Sequence, residues 1–373
     1  MRQKFKYVRR FCLSNIGMIL GILTLIIHGL AMLCCSEYFF SFYENVLYPI
    51  IRTTYDYTLG YLPIPSVYFL FTYLMYLLYL GLKKILKPLI PFFEKIKIAV
   101  SGISNFFGWV IFLFYFTWGF NYYQPTIEKQ LALPEISFDS ADVVNELNLI
   151  TDLLNQARVK LSTDTSSLKF DINWETLEHS IRIQQEEMIS TWGKSVQGRV
   201  RVRALRPQGI LLRFSTAGIY IPFAFEGHVD PGMNAIQWPF TMAHEMAHGY
   251  GYTDEGACNF IGFLTCMRSK EPIIKYSGLM GYWRYLFFDV RSRYPDVAKL
   301  TYNNLTKGTQ NDLKAIRNDL NRYPDIMPII RDKIYDSYLK SHGVHSGLKS
   351  YNEITMQVLR WKQSKYAFPF TTE

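Results

Sequence analysis

The chain has 373 residues, of which 49% are hydrophobic and 16% aromatic, and it carries a formal net charge of +9 at pH 7. Two short segments, residues 2–10 and 83–97, hold ten basic residues against one acidic residue, a net +9 that equals the charge of the whole chain. The positive charge is therefore local, which excludes a broadly basic nucleic-acid-binding surface. The five cysteines lack the spacing of a disulfide framework or a zinc finger, and we expect Cys258 and Cys266 to be buried thiols.

Three long segments near the N-terminus contain no charged residue, namely residues 11–36, 57–82 and 98–127. Each exceeds the roughly 20 residues that a helix needs to cross a bilayer, so we predict three transmembrane helices. Trp118, Tyr122 and Tyr123 form an aromatic belt near the end of the third segment. A cleaved signal peptide or a lipid anchor at Cys34 is the alternative for the first segment, although no clear cleavage site follows it.

The charges between these segments predict an orientation. The N-terminus and the loop at 83–97 are basic, whereas the loop between the first two segments has only Arg52 against Glu37, Glu44 and Asp56. Positively charged loops face the cytoplasm, so an odd number of spans places the rest of the chain outside. We therefore expect a multi-pass protein of the cytoplasmic (inner) membrane. A membrane domain at 1–127, in contact with the lipid bilayer, precedes an extracytoplasmic domain at 128–373.

The second domain is predicted to be mostly helical. Apolar residues recur at helical spacing in 142–161, 174–192, 295–323 and 325–339, and a further helix is expected at 351–361. Residues 213–225 are rich in β-branched and aromatic residues and predict one or two strands. Within them, 219–225 is our candidate for an edge strand that would pair with an extended peptide, and the alternative is an interior strand.

Residues 244–248 read His-Glu-Met-Ala-His, an HExxH motif. Positions i and i+4 of a helix share a face, so His244 and His248 can present two imidazoles to one Zn²⁺ ion. Glu245 lies at the edge of that face, where a carboxylate can act as the general base for a metal-activated water without binding the metal. Pro239 suits the first turn of this helix. A chance surface occurrence of the motif remains the alternative.

A catalytic zinc needs a third protein ligand, and two candidates follow the motif. Glu255 opens a second predicted helix with Asn259 at i+4, the arrangement of gluzincin peptidases, in which the latter residue supports a ligand imidazole. Asp254 instead completes a spacing similar to that of metzincins, although Asp at a helix start is more commonly an N-cap. We favour Glu255, because a tight turn at 249–251 would fold the second helix back against the first.

Several stretches resemble a bacterial family catalogued only as a domain of unknown function. The resemblance is carried by residues 239–248, by Glu255 with Asn259-Phe260, and by the flanking segments 218–223 and 350–351. It implies three N-terminal spans and a gluzincin-like metallopeptidase domain. The expected fold class is thus a membrane-anchored α+β protein, with three transmembrane helices before a mostly helical, zincin-like domain that has a small β-sheet. Ala257-Cys258 departs from the Glu-Ala common in that family, at positions where no ligand is expected.

The predicted activity is hydrolysis of a peptide or protein, with a cell-wall peptide among the candidate substrates. Glu245 would take a proton from the attacking water and deliver it to the leaving amine. Candidates for an oxyanion donor are His342, His345, Tyr276 and Tyr351, and His228 is assigned no role. Two other functions stay open, a zinc-binding regulatory or sensor protein without catalysis and a membrane scaffold in which the motif is incidental.

Overall fold

The computed structural model describes residues 15–326 and 353–372. They divide into two compact units, Met1–Gln124 with Ile221–Phe225, and Pro125–Tyr220 with Glu226–Glu373. The predicted boundary after residue 127 thus lies three residues from the division after Gln124, and the assignment of 221–225 to the first unit was not predicted. The basic N-terminus, His342, His345, Tyr351 and nearly all of the predicted helix 325–339 lie outside the described residues.

The first unit contains three helices that are long and apolar enough to cross a membrane: α1 Ile16–Cys34, α4 Ser66–Ile85 and α5 Phe92–Thr117. Two shorter helices separate α1 from α4, namely α2 Ser36–Phe42 and α3 Tyr48–Asp56, with a π-helical turn at Tyr43–Leu47 between them. Membrane association is the conclusion that these lengths and compositions support.

Close packing of α1 on α5 depends on glycine. A Cβ added at Gly21 would lie 2.6 Å from the Cα atom of Gly108, so the two backbones touch where neither residue has a side chain. Asn105 of α5 also accepts a hydrogen bond of 2.8 Å from the Gly17 amide through its Oδ1 atom. This satisfies one of the free N–H groups at the start of α1.

The second and third predicted spans differ at both ends from the helices in the structure. Helix α4 begins only at Ser66, because Pro63 and Pro65 precede it, and it continues through Lys83 and Lys84. Helix α5 begins after Pro91, includes Lys95 and Lys97, and ends at Thr117 instead of reaching residue 127. A segment without charged residues identifies only the apolar middle of a span. The helix itself extends further, because lysines at its ends can reach the polar interface.

The second unit is mostly helical with one small sheet. Its helices are α6 Ile127–Gln130, α7 Ser140–Leu161, α8 Trp174–Ser190, α9 Trp238–Gly249, α10 Glu255–Arg268, α11 Pro272–Arg293, α12 Pro295–Asn303, α13 Lys307–Asn321 and α14 Ile354–Trp361. The helices predicted at 142–161 and 174–192 are confirmed as α7 and α8, and α14 covers the described part of 351–361. The helix predicted at 295–323 is two helices, because Thr306 caps a new start by accepting a 3.2 Å hydrogen bond from the Thr309 amide.

The sheet has strands β1 Arg201–Ala204, β2 Gly218–Ile221 and β3 Glu226–Val229, in the order β1-β3-β2. Strands β1 and β3 are parallel, with Arg201 opposite Glu226, and β2 is an edge strand. The edge prediction for 219–225 is confirmed for its first residues and wrong for 222–225, which form the turn to β3. Pro222 cannot donate to a ladder, and Phe225 has a φ of 46°, so the strand cannot continue.

Helix α9 lies at the centre of the second unit. It packs against α8, α10, α11 and the sheet. Gln185 of α8 is fully buried, and its Nε2 atom donates to the Ala243 carbonyl of α9 at 2.8 Å. The HExxH residues are therefore held by a helix that is fixed on several sides.

Candidate metal centre

The two histidines of the motif share one face of α9, as their spacing predicts. Their ring centroids are 4.9 Å apart, and both residues are buried. Pro239 lies in the first turn of the helix, where its missing N–H group costs nothing. The helix ends at Gly249, and Gly251 follows with a φ of 95°, a conformation that favours glycine and turns the chain back.

This turn brings the start of α10 to the two imidazoles. The Oε2 atom of Glu255 lies 3.1 Å from His244 Nε2 and 3.6 Å from His248 Nε2. One ligand atom from each of the three residues lies within 4.8 Å of the others, a grouping that could hold a metal ion. Asp254 instead caps α10, since its Oδ1 atom accepts a 2.7 Å hydrogen bond from the Ala257 amide.

The other ring nitrogen of each histidine has a fixed partner. His244 Nδ1 lies 2.9 Å from Asn259 Oδ1, and His248 Nδ1 lies 2.8 Å from the Tyr252 carbonyl oxygen. Because both partners are acceptors, the ring protons are assigned to Nδ1, which leaves the lone pairs of both Nε2 atoms directed at Glu255. Asn259 thus occupies the supporting position predicted for it.

This geometry places three electron-pair donors around one point in a buried setting. Two neutral imidazole nitrogens and a carboxylate oxygen repel each other unless a cation lies between them. Burial disfavours the charged forms of both His248 and Glu255. The neighbouring Cys258 and Glu255 nevertheless raise the pKa of His248 well above its usual value. Likewise, the imidazoles hold the pKa of the Glu255 carboxyl well below its usual value despite the burial. The centre therefore favours a positive charge, which a proton or a divalent metal can supply, and its donor set fits zinc.

Glu245 lies beside this group and outside it. Its carboxylate packs against strand β2, where a Cβ atom added to Gly218 would lie 2.5 Å from Glu245 Oε1. Its Oε2 atom is buried without a hydrogen-bond partner among the residues that the structure describes. Burial raises the pKa of this carboxyl to about 7, with His244 and His248 opposing the rise. A carboxyl with such a pKa can accept and return a proton near neutral pH.

Comparison with known proteins places the chain in a family. A family model described as a protein of unknown function (DUF3810) matches residues 43–359. The chain belongs to the DUF3810 family. The match includes helices α4 and α5. It also includes the HExxH residues His244, Glu245 and His248, and Glu255. No curated protein and no solved structure matches the chain.

In this DUF3810 protein, Cys258 lies beside the candidate metal centre, a position that the sequence did not predict. Its Sγ atom is 3.3 Å from His248 Nδ1, on the side of the ring that faces away from Glu255. Burial raises the pKa of the thiol to about 11, so it is protonated at neutral pH. The prediction that Cys258 and Cys266 are buried free thiols is confirmed.

Of the four candidate oxyanion donors, Tyr276 alone lies within the described residues. It is fully buried, and its hydroxyl donates to Asp312 Oδ2 at 2.7 Å, which gives it a structural role. His228 is also buried, and burial together with Arg203 lowers its pKa to about 3. Tyr285 was missed by the sequence analysis. Its hydroxyl lies 3.1 Å from Asn259 Oδ1, and burial raises its pKa to about 12, so it remains a donor.

The choice between the two acidic residues can be tested directly. We expect Glu255→Ala to weaken zinc binding by more than roughly 100-fold, because loss of a ligand should exceed the usual effect of losing an outer partner. Asp254→Ala removes only a helix cap, at a cost of about 1 kcal/mol in stability, and should retain zinc. Titration of both metal-free variants with zinc measures the difference. A larger loss in Asp254→Ala would move the third ligand to that residue.

Proposed function

We propose that this protein is a membrane-anchored, zinc-dependent hydrolase, a peptidase with a gluzincin-like centre. The observation that carries the proposal is the convergence of His244, His248 and Glu255, with the Nδ1 atom of each imidazole bound elsewhere. Buried Glu245 supports catalysis over zinc binding without catalysis. Its Oε2 atom has no hydrogen-bond partner among the described residues, which costs stability, and buried carboxyls with such perturbed environments cluster at functional sites.

In this proposal His244, His248 and Glu255 would hold the metal. A zinc ion held there would supply a water of lowered pKa and polarisation of a carbonyl group. Asn259 and the Tyr252 carbonyl orient the two imidazoles through their Nδ1–H groups. The Glu245 carboxylate would take a proton from a water and return it to the leaving nitrogen.

The edge strand β2 supports a peptide as the substrate. Strand β2 is an edge strand of the sheet that the structure describes, Gly218 lies against Glu245, and Ile219 is 40% exposed, so an extended chain can approach this edge beside the base. Backbone hydrogen bonds at such an edge bind peptides with little dependence on sequence. The substrate class that we propose is therefore a protein or peptide, with a cell-wall peptide as one candidate.

Gly218→Ala tests this arrangement of strand and base. The added Cβ atom would lie 2.5 Å from Glu245 Oε1 and must displace the carboxylate. We expect hydrolysis of a fluorogenic peptide library to fall by roughly 100-fold, the usual cost of displacing a catalytic group by about 1 Å, with zinc content unchanged. Gly102→Ala is the control, since a Cβ atom there meets open space. Full activity in Gly218→Ala would show that the close contact between β2 and Glu245 is not needed for catalysis.

We further propose that the second unit lies outside the cytoplasmic membrane. The basic segment 83–97 comprises the end of α4, the connection to α5 and the first turns of α5, and positively charged segments beside a span face the cytoplasm. Alkaline phosphatase fused after Glu373 should then be active, and a fluorescent protein that matures only in the cytoplasm should be dark. The opposite pattern would reverse this topology.

A further inference from the structure

The second unit contains a cavity of about 530 Å³, within the range of small-molecule pockets. Its walls come from the region before β2, from α9, from α11 and from the end of α13. Most of the wall residues are apolar or aromatic, including Phe240, Met280, Phe288 and Leu320. A cavity of this size and character can hold a large apolar side chain together with the part of a ligand next to it.

Three residues of the cavity wall connect it to the candidate metal centre. Thr241 lines it and lies on α9 three residues before His244 and four before Glu245, hence on the same face. Ala217 lines it and directly precedes Gly218, which lies against Glu245. Tyr285 also lines it, and its hydroxyl contacts Asn259, the partner of His244. His244, Glu245, His248 and Glu255 are not themselves wall residues, so a group bound here would be separated from them by these neighbouring residues.

Arg284 gives this cavity its charge. It is the one residue among the described wall residues with a full charge at neutral pH, and none of them is acidic. Arg284 is an exposed residue and makes no ion pair with any residue that the structure describes, so its guanidinium group is available to a ligand, whereas the buried Arg158 pairs with Asp312 at 2.7 Å. A guanidinium group binds a carboxylate through two parallel hydrogen bonds, the strongest common pairing of this kind.

We propose that this cavity is the substrate subsite of the enzyme, and that it selects an apolar residue accompanied by a carboxylate, which Arg284 binds. The carboxylate can be the free C-terminus of a peptide or an acidic side chain next to the apolar residue. This inference rests on the proposed zinc hydrolase, and it adds the chemical class of group that the enzyme recognises beside the scissile bond.

Three hydroxamate probes test the subsite without a known substrate. Each has a zinc-binding hydroxamate and a benzyl group, and they end in glycine, in glycinamide, or in the α-amide of aspartic acid. Calorimetry on the zinc-loaded full-length protein in detergent gives their affinities. We expect the glycine probe or the aspartyl probe to bind at least about tenfold more tightly than the neutral glycinamide probe. Preference for the first identifies a C-terminal carboxylate, and preference for the second an acidic side chain.

Arg284→Gln should abolish this preference and leave the affinity for the glycinamide probe within about threefold of its original value. Arg291→Gln is the matched control, because Arg291 is an exposed residue of the same helix outside the cavity wall, and it should keep the preference. Zinc content is measured on the same samples. Equal affinities for all three probes in a zinc-loaded protein, or a preference that survives Arg284→Gln, would overturn the subsite alone. Absence of zinc would instead overturn the proposed function.

Discussion

Replacing both His244 and His248 by alanine is expected to abolish zinc binding. The wild-type protein should bind about one zinc per chain, because two imidazoles and one carboxylate leave a single open position on a tetrahedral ion. The double variant keeps only Glu255 of the three converging donors, and a single carboxylate holds zinc weakly in water. Elemental analysis after dialysis against trace zinc measures the change.

His179→Ala is the control for this experiment, because His179 is an exposed residue of α8 outside the candidate centre. It should retain the wild-type zinc content. An unchanged stoichiometry in the double variant would place the metal elsewhere and remove the basis of the proposed centre. Circular dichroism of the double variant would show whether loss of zinc comes with loss of the helical fold.

Glu245→Gln is expected to lower hydrolysis by at least ~10²-fold, the usual scale of a general base. The amide keeps the shape of the side chain beside Gly218 but cannot take up a proton from water. Zinc content should stay at the wild-type value, since Glu245 is not among the three converging donors. Rates on the same fluorogenic peptide library, with metal analysis of each preparation, separate the two effects.

Glu187→Gln is the matched control, because Glu187 is an exposed glutamate of α8, and its rate should equal that of the wild type. A Glu245→Gln variant that cleaves as fast as the wild type would show that Glu245 is not the base. A wild-type protein that holds zinc and cleaves nothing across the library would favour the regulatory or sensor function instead.

The sequence was most informative where local chemistry determines the structure. The i, i+4 spacing of His244 and His248, Pro239 at the first turn and Asp254 at the cap position each predict a local geometry, and the structure has each one. The absence of charged residues likewise predicted three apolar helices. Two of these helices have other ends than predicted, because prolines precede them and lysines lie within their terminal turns.

The parts that were missed depend on contacts between distant segments. Strand β1 was not predicted, because arginines such as Arg201 and Arg203 are typical of surface positions. In the structure Arg201 is buried and pairs with Glu178 at 2.7 Å. No local signal shows that Gly218 makes room for Glu245, or that Tyr285 lies beside Asn259, 26 residues earlier. Such pairs become visible only when the helices and the sheet are packed together.

Zinc K-edge X-ray absorption on the purified full-length protein tests the central claim most directly. It reads the ligand atoms of the metal without requiring a substrate. The proposed centre predicts nitrogen and oxygen ligands at ~2.0–2.2 Å, with two of them imidazole nitrogens and no sulfur. A sulfur ligand at ~2.3 Å, for which Cys258 is the nearest source, or a protein that retains no zinc, would contradict it.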